Sequence, residues 1–541
     1  MSEASPESLE ALTAAQQPPA LPGLEAPRRG PAMGRRFAVA TDHPLASVTA
    51  AAVIEAGGNA VDAAIAAAAV NVVVKPNRTH LGGDAFALVW RRDTGEVAGL
   101  NAGGRAPLTA TPGAFAGGIP RTGPRASTVP GLVDSWQELH ARYGSLPLPR
   151  LLEPAVRFCE EGFPVSLHLS AGMASLTGRA EGDLARVFLK ADGSAYAAGE
   201  TFRQPELAET LRAIAAEGRE GFYGGRTGRA IAEAMRAAGG LMTLDDLARP
   251  TAHWQEPLRT DYHGCAVFEQ APPSQGIVLL EALNVAECFP LAEWGMTSAD
   301  SVHVLAEATR LAFADVRAHV GDPDFVDAPT ARLLSKAHAA ELATRIDLRR
   351  AGAATQVAIA SDTTSFVVAA GEMAVCYIQS VFAPWGSRFV VPGTGILMNN
   401  RMTGFSLDPA SPNVVAPGKR TLHTLNNFVA VKDGRLVVAG GTPGADFQVQ
   451  TNLQVIAAVV DWGLDVQAAL DSPRWATATG GRLNVETRFP EALRADLAAR
   501  GHDVRPAGPW GVRACSQVVA SVDGGWAAAS DLRGEGVALA S

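Results

Sequence analysis

SDTTSFVVAAGEMAVCYIQS, Ser361 to Ser380, reads as two strands around a tight turn at Ala370 to Glu372. Apolar, β-branched and aromatic residues run up to a glycine and away from it, the pattern of a hairpin. The first strand opens on a threonine directly after Ala351 to Ser361, a small, weakly polar stretch without strong periodicity that reads as a linker. A threonine hydroxyl is a poor nucleophile by itself. If the peptide bond before Thr363 is cut, the new α-amino group lies within reach of the same residue's Oγ. With a pKa of about 8, that amine is a usable general base at neutral pH. On composition alone, Thr363 and Thr364 are equally well strand-compatible β-branched residues, so the chemical reading needs support from the rest of the chain.

Downstream, LHTLNNFVAVKDGRLVVAGGTPG reads as a second hairpin with its turn at Lys432 to Gly434. Upstream, FAVAT from Phe37 reads as a strand. PLASVTAAAVIEAGG follows as a helix with proline in its first turn and glycines at its end. Another helix starts at Asn59 and runs through NAVDAAIAAAA, and LGGDAFALVWRR and GEVAGLNAGG are β-rich runs separated by Asp93 to Gly95. Between about residues 127 and 350 the composition turns helical, with LVDSWQELHARYG, LPRLLEPAVRFCEEG, LAETLRAIAAEG, TGRAIAEAMRAAGG and SADSVHVLAEATRLAFADVRAHVG each apolar at three and four spacing. Strands at both ends with helices between and after suit two sheets sandwiched by helices, an α+β fold, better than a doubly wound parallel sheet.

A chain of 541 residues, 47% hydrophobic and 19% charged, buries a large core and is not disordered as a whole. One catalytic unit accommodates this length. The net charge of −9, with both signs mixed along the chain, gives no basic stripe for nucleic acid. Five scattered cysteines, never spaced C-x-x-C, signal neither a disulfide framework nor a zinc ribbon and fit a reducing compartment. Residues 1 to about 36, polar and rich in Ala, Pro and Glu, read as a loose tail without a secretory signal, so a cytoplasmic location is expected. The longest apolar run, Ala60 to Val74, is interrupted by Asp62 and Asn71 and is shorter than the roughly 20 residues of a membrane span; no membrane partner is expected. H-E-x-x-H, Walker, G-x-G-x-x-G and EF-hand patterns are missing from the sequence, so no metal or nucleotide cofactor is indicated. A G-x-S-x-G elbow is missing too, and PPSQG around Ser274 reads as a turn.

The segments ATDHPLAS, AGGNAVDAAIAAA, HLGGDAFAL, STVPGLVDSW, EPAVRFCEEGFPVS, RLAFADVRAHVGDPDF, VPGTGILMNNRMTGFS, APGKR, DSPRW and RGHDV occur in one order from about Phe37 to Ser541. On these segments the chain resembles the gamma-glutamyltranspeptidases. The resemblance implies a four-layer αββα sandwich of the N-terminal nucleophile hydrolase type and no metal. It also implies a precursor that cleaves itself into a large part, 37–362, and a small part, 363–541, which stay partners and form a possible homodimer. The processing threonine carries over to Thr363, with cleavage after Asp362. That register assumes a hairpin turn one residue shorter than usual; without the gap Asp362 falls in the nucleophile's slot, which would abolish the chemistry. The assisting hydroxyl falls on Ser380, and the oxyanion-hole amides fall on Gly444 and Ala445.

Substrate recognition departs from the family pattern. The arginine that takes the α-carboxylate of a glutamyl substrate is replaced by Gly103, with Arg105 two positions on, and the aspartate that takes its ammonium by Gly404. A neighbouring glutamine becomes Arg401, and a serine pair becomes His423 and Thr424. GRAP, LHTL, IQS and PRW look more like the subgroup that includes oxamate amidohydrolases and some cephalosporin acylases. Arg105, Arg401, His423, Thr424 and Asn400 are therefore the candidate substrate-binding residues for a small amide, with Arg suited to an anionic or dicarbonyl group. Asp84, Asn399, Asn400, Asp322 and Asp531 lie in matched segments, but short polar residues beside glycines also serve as loop supports. A true γ-glutamyl hydrolase or transpeptidase, and a non-processing ligand-binding homologue, remain as alternatives.

Overall fold

The computed structural model describes residues 29–353, 363–478 and 481–541. Asp362 and most of the linker lie outside the described residues. Two seven-stranded sheets form the centre of the molecule. The first runs Val537–Ala540, Phe37–Thr41, Thr364–Ala370, Met373–Ser380, Asp84–Arg91, Val97–Ala102, His253–Gln255. The second runs Ala32–Gly34, Gly525–Ser530, Gln517–Val522, Arg435–Gly441, Asn427–Lys432, Cys265–Glu269, Leu258–Tyr262. Every neighbouring pair in both sheets is antiparallel.

The hairpin of strands Thr364–Ala370 and Met373–Ser380 explains the layering. Its strands pair Thr364 with Gln379 through Ala370 with Met373, and Gly371 takes φ +56° at the first of two turn positions, where any other residue would be strained. Side chains alternate between faces. Phe366, Val368, Val375 and Tyr377 point into a core shared with helices Pro44–Glu55, Ala60–Val74, Leu132–Tyr143 and Leu148–Glu161. Val367, Ala369, Ala374 and Cys376 point into a second core made with Val429, Ala439, Val519 and Ala528 of the other sheet. Within this hairpin the inter-sheet face carries the smaller side chains and the outer face carries Phe366 and Tyr377. The second sheet carries its own outer core against helices Gly276–Ala286, Ala299–His319 and Phe447–Val460. Helix, sheet, sheet, helix is the order of layers, the N-terminal nucleophile hydrolase sandwich.

Two expectations need correction. The loose-tail boundary at residue 36 falls too late, because Ala32–Gly34 already pairs with Trp526–Ala528 at a sheet edge. The middle of the chain is not uniformly helical: Leu258–Tyr262 and Cys265–Glu269 form a hairpin that closes the second sheet. Its first strand, Leu258–Tyr262, carries Arg259, Thr260 and Asp261 in a row, so only the second, Cys265–Glu269, has the apolar run that made the other hairpins readable. No helix among the described residues is long and apolar enough to cross a membrane.

Candidate active site

Thr363 stands immediately before the strand Thr364–Ala370 and is fully buried. The hairpin register sets it opposite the end of the neighbouring strand, and its Oγ1 donates to Ser380 Oγ at 3.2 Å. Ser380 Oγ in turn accepts from the Phe382 backbone N–H at 2.8 Å. Phe382 holds φ +79°, an uncommon conformation for a bulky residue and one that is often retained where a site requires it.

Ser380 pairs across the sheet with Asp84, at the start of the next strand. Thr363, Ser380 and Asp84 thus occupy adjacent strand ends, each step being about 4.8 Å. Asp84 is the hub of a buried polar cluster. Its Oδ1 accepts from Gly104 N at 2.8 Å; its Oδ2 accepts from Arg401 Nε at 3.1 Å and faces His423 Nε2 at 3.3 Å. Burial alone would raise the Asp84 carboxyl, but the His423 contact and the Arg401 charge outweigh it and hold it below the usual value. Burial and the Arg401 charge push His423 down to about 4, so the ring is neutral at pH 7. Its Nδ1 accepts from Leu425 N at 3.3 Å, which puts the proton on Nε2, directed at Asp84. Burial lowers Arg401 to about 10, against the pull of Asp84, and it stays charged.

Arg401 begins the short 3-10 turn Arg401–Gly404. Its guanidinium lies over the Phe382 ring, 4.3 Å from the centroid, and Nη1 reaches Thr424 Oγ1 at 3.4 Å. Its Nη2 is buried and has no hydrogen-bond partner among the described residues. A buried donor left without an acceptor is costly unless something else supplies one.

Gly444 and Ala445 follow the strand Arg435–Gly441, whose last residue pairs with Asn427. Asn427 Oδ1 accepts from Ser365 Oγ at 3.3 Å, so this strand ends beside the start of the Thr363 strand. Gly444 has φ +128° and Ala445 φ +51°, and helix Phe447–Val460 begins two residues on. Neither amide donates to an acceptor among the described residues. Gln275 Nε2 pins the loop by donating to the carbonyls of Ala445 and Thr424, both at 2.9 Å.

The candidates therefore separate. Thr363, Ser380, Arg401, His423 and Thr424 come together around Asp84, but His423 has both ring nitrogens engaged and serves Asp84. Arg105 does not join them: its guanidinium is committed to Asp324 Oδ2 at 2.8 Å and the Gly418 carbonyl at 2.9 Å. Asn400 braces loops, accepting from Ala383 N at 3.0 Å and donating to the Arg121 carbonyl at 3.2 Å. Asn399 ties Gly82 and Thr128 to Arg401 N, Asp322 accepts from Arg420 N, and Asp531 lies buried between Arg474 and Arg533. Asp84 is more than the loop support its setting allowed. Gln275, in the PPSQG turn, was missed, and only the helix that starts after it, Gly276–Ala286, hints that its side chain is held in place.

Comparison with known proteins identifies the family. A glutathione hydrolase-like YwrD proenzyme of Bacillus subtilis strain 168 is 36% identical over 522 residues, covering 94% of this chain and 99% of the relative. An oxamate amidohydrolase proenzyme of Klebsiella pneumoniae is 37% identical over 481 residues, covering 85% and 90%. The crystal structure of a cephalosporin acylase from Bacillus halodurans superposes with a TM-score of 0.88 at 35% identity, covering 97% of this chain and 99% of that one. The model of the gamma-glutamyltranspeptidase family matches residues 46–541, and the chain belongs to that family, as an enzyme of the N-terminal nucleophile amidohydrolase and acyltransferase class.

Proposed function

We propose that the chain cuts itself between Asp362 and Thr363 and then hydrolyses a small amide whose acyl part carries an anionic or dicarbonyl group, as oxamate does. The observation that carries the substrate class is the unpartnered Nη2 of buried Arg401, one strand end away from the Thr363–Ser380 pair. In the cut enzyme the Thr363 α-amine takes the proton of Oγ as that oxygen attacks the substrate carbonyl. The Gly444 and Ala445 amides face the developing oxyanion. The amine leaves with the proton, and water, activated by the same α-amine, releases the acid and restores the hydroxyl. Ser380 orients Oγ throughout.

A γ-glutamyl substrate fits this site less well. A Cβ on Gly103 would lie 3.1 Å from Asn101 Oδ1, 3.2 Å from the Phe86 ring and 3.3 Å from His423, so a side chain there would need these neighbours to give by a few tenths of an ångström, and the glycine supplies no cation for an α-carboxylate. A Cβ on Gly404 would lie 2.9 Å from Thr421 Oγ1. The ammonium of an α-amino acid would find no carboxylate at that position.

Intact mass under denaturing conditions tests the first step. Wild type should give fragments 1–362 and 363–541, and Thr363→Ala a single chain. The cut protein should then release ammonia from oxamate. A wild-type chain that stays whole on prolonged incubation would move the ligand-binding alternative to the front. A cut chain that turns over γ-glutamyl anilide and not oxamate would replace the substrate assignment.

A further inference from the structure

On the far side of the second sheet, helices Gly276–Ala286, Ala299–His319 and Lys336–Ala343 converge on three side chains that the reaction does not use. We propose that Glu281, Asp315 and His338 form a binding site for one divalent transition cation, of the zinc type, which braces these helices. Each residue offers one ligand atom, and the three atoms lie within 4.8 Å of one another. His338 Nε2 is 2.6 Å from Asp315 Oδ2 and 3.5 Å from Glu281 Oε1.

Glu281 is left unsatisfied by the protein around it. It is 0% exposed, it is aimed at His338, and neither of its carboxylate oxygens has a hydrogen-bond donor among the described residues. Arg332 is close enough to be felt at Glu281 but donates to neither oxygen. A buried carboxylate without a donor is costly, and a second carboxylate beside it makes the cost larger. The pair therefore takes either a proton or a cation.

The surroundings favour the cation. Tetrahedral zinc with bonds of about 2.0–2.2 Å sets its ligand atoms about 3.3 Å apart. The Glu281–His338 separation already matches, and the Asp315–His338 contact needs to open by about 0.7 Å. His338 Nδ1 lies 3.7 Å from Glu341, beyond hydrogen-bond distance but near enough for its charge to favour the proton on the outer nitrogen while Nε2 ligates. Asp315 is partly exposed, which leaves water access for the fourth position. One imidazole and two carboxylates suit zinc or manganese; calcium asks for six to eight oxygens. The three ligands come from three helices and share no short motif, which is why their spacing indicated no metal.

The brace touches the active site indirectly. Helix Gly276–Ala286 starts directly after Gln275, which holds the Ala445 and Thr424 carbonyls. The proposal does not depend on the substrate assignment, and its test does not use catalysis. Tag-free, chelator-stripped full-length protein is titrated with Zn2+ by calorimetry and followed by thermal unfolding, beside Glu281→Gln and Asp315→Asn. One Zn2+ per chain with a higher midpoint, and affinity lowered on the order of 100-fold in both variants, is the expected result. Asp315, being partly exposed, keeps the test open if the Glu281 variant does not fold. No saturable zinc binding to wild type overturns the proposal in favour of a shared proton. Unchanged zinc affinity in the variants overturns it in favour of binding elsewhere.

Discussion

Arg401 and Asp84 show how much a single residue's role depends on its neighbours. Removing Arg401 outright leaves Asp84 as an uncompensated buried charge, a loss of about 3–5 kcal/mol that would confuse binding with folding. Arg401→Lys keeps the charge and gives up the planar fork. Its KM for oxamate should rise about tenfold or more, about 1.4 kcal/mol, with a much smaller change in kcat; an unchanged KM takes Arg401 out of substrate binding. Ala445 offers a second test. It stands at φ +51°, a conformation costing a non-glycine residue about 1–2 kcal/mol. Glycine removes that strain but loosens the unfolded chain by about 0.4–1 kcal/mol. Ala445→Gly should therefore gain about 0.5 kcal/mol in denaturant unfolding and keep its activity, since the amide N–H is retained. A loss above about 1 kcal/mol would mean that the buried methyl group packs usefully. At this scale the hairpin was legible, and its register brings Thr363 and Ser380 together, while the roles proposed for the two came from the family resemblance and not from the hairpin itself. The sequence was not legible for Arg105, whose partners Asp324 and Gly418 are distant in the chain, nor for His423, whose tautomer depends on Leu425 and Asp84 together.

Helix Ala60–Val74 shows what an element hides. Every one of its residues is buried, so its near-continuous apolar sequence was readable as a buried helix. Asp62 looked like an interruption. In the structure it completes a capping box with Asn59, accepting from Asn59 N at 3.0 Å, and it also accepts from Ser145 N at 3.0 Å, Leu146 N at 3.3 Å and the Ser145 hydroxyl. One carboxylate thereby fixes the helix start and the loop after helix Leu132–Tyr143. Asp62→Ala leaves several buried donors unsatisfied and should cost about 2–4 kcal/mol, read as a lower denaturant midpoint at unchanged m-value. A loss below about 1 kcal/mol would show that these donors find other acceptors. The helix start at Asn59 was read from the sequence; the capping role of Asp62 and its bonds to Ser145 and Leu146, more than 80 residues on, were not. The hairpin Leu258–Glu269 escaped for the opposite reason: its strands alternate polar and apolar residues too weakly to stand out from the helical text around them.

At the scale of the whole molecule, the proposed cut falls inside a structure that the two fragments build jointly. Strand Phe37–Thr41, before the cut, lies between Val537–Ala540 and Thr364–Ala370, both after it. Met373–Ser380 pairs with Asp84–Arg91, Asn427–Lys432 with Cys265–Glu269, and Gly525–Ser530 with Ala32–Gly34, each across the same division. The inter-sheet core likewise mixes Ala38, Leu88 and Trp90 from one side with Val367, Val429 and Val519 from the other. Cleavage removes one covalent bond and none of these ladders, so it changes the chain's connectivity far more than its packing. The two fragments should therefore elute together in size exclusion under native conditions, unfold in a single cooperative transition, and separate only in denaturant. Thr363→Ala, uncut, should show a similar native elution volume. Fragments that part without denaturant would mean that the ladders across the division do not hold the processed enzyme together, and with them the shared sheet on which Thr363, Ser380 and Asp84 are aligned.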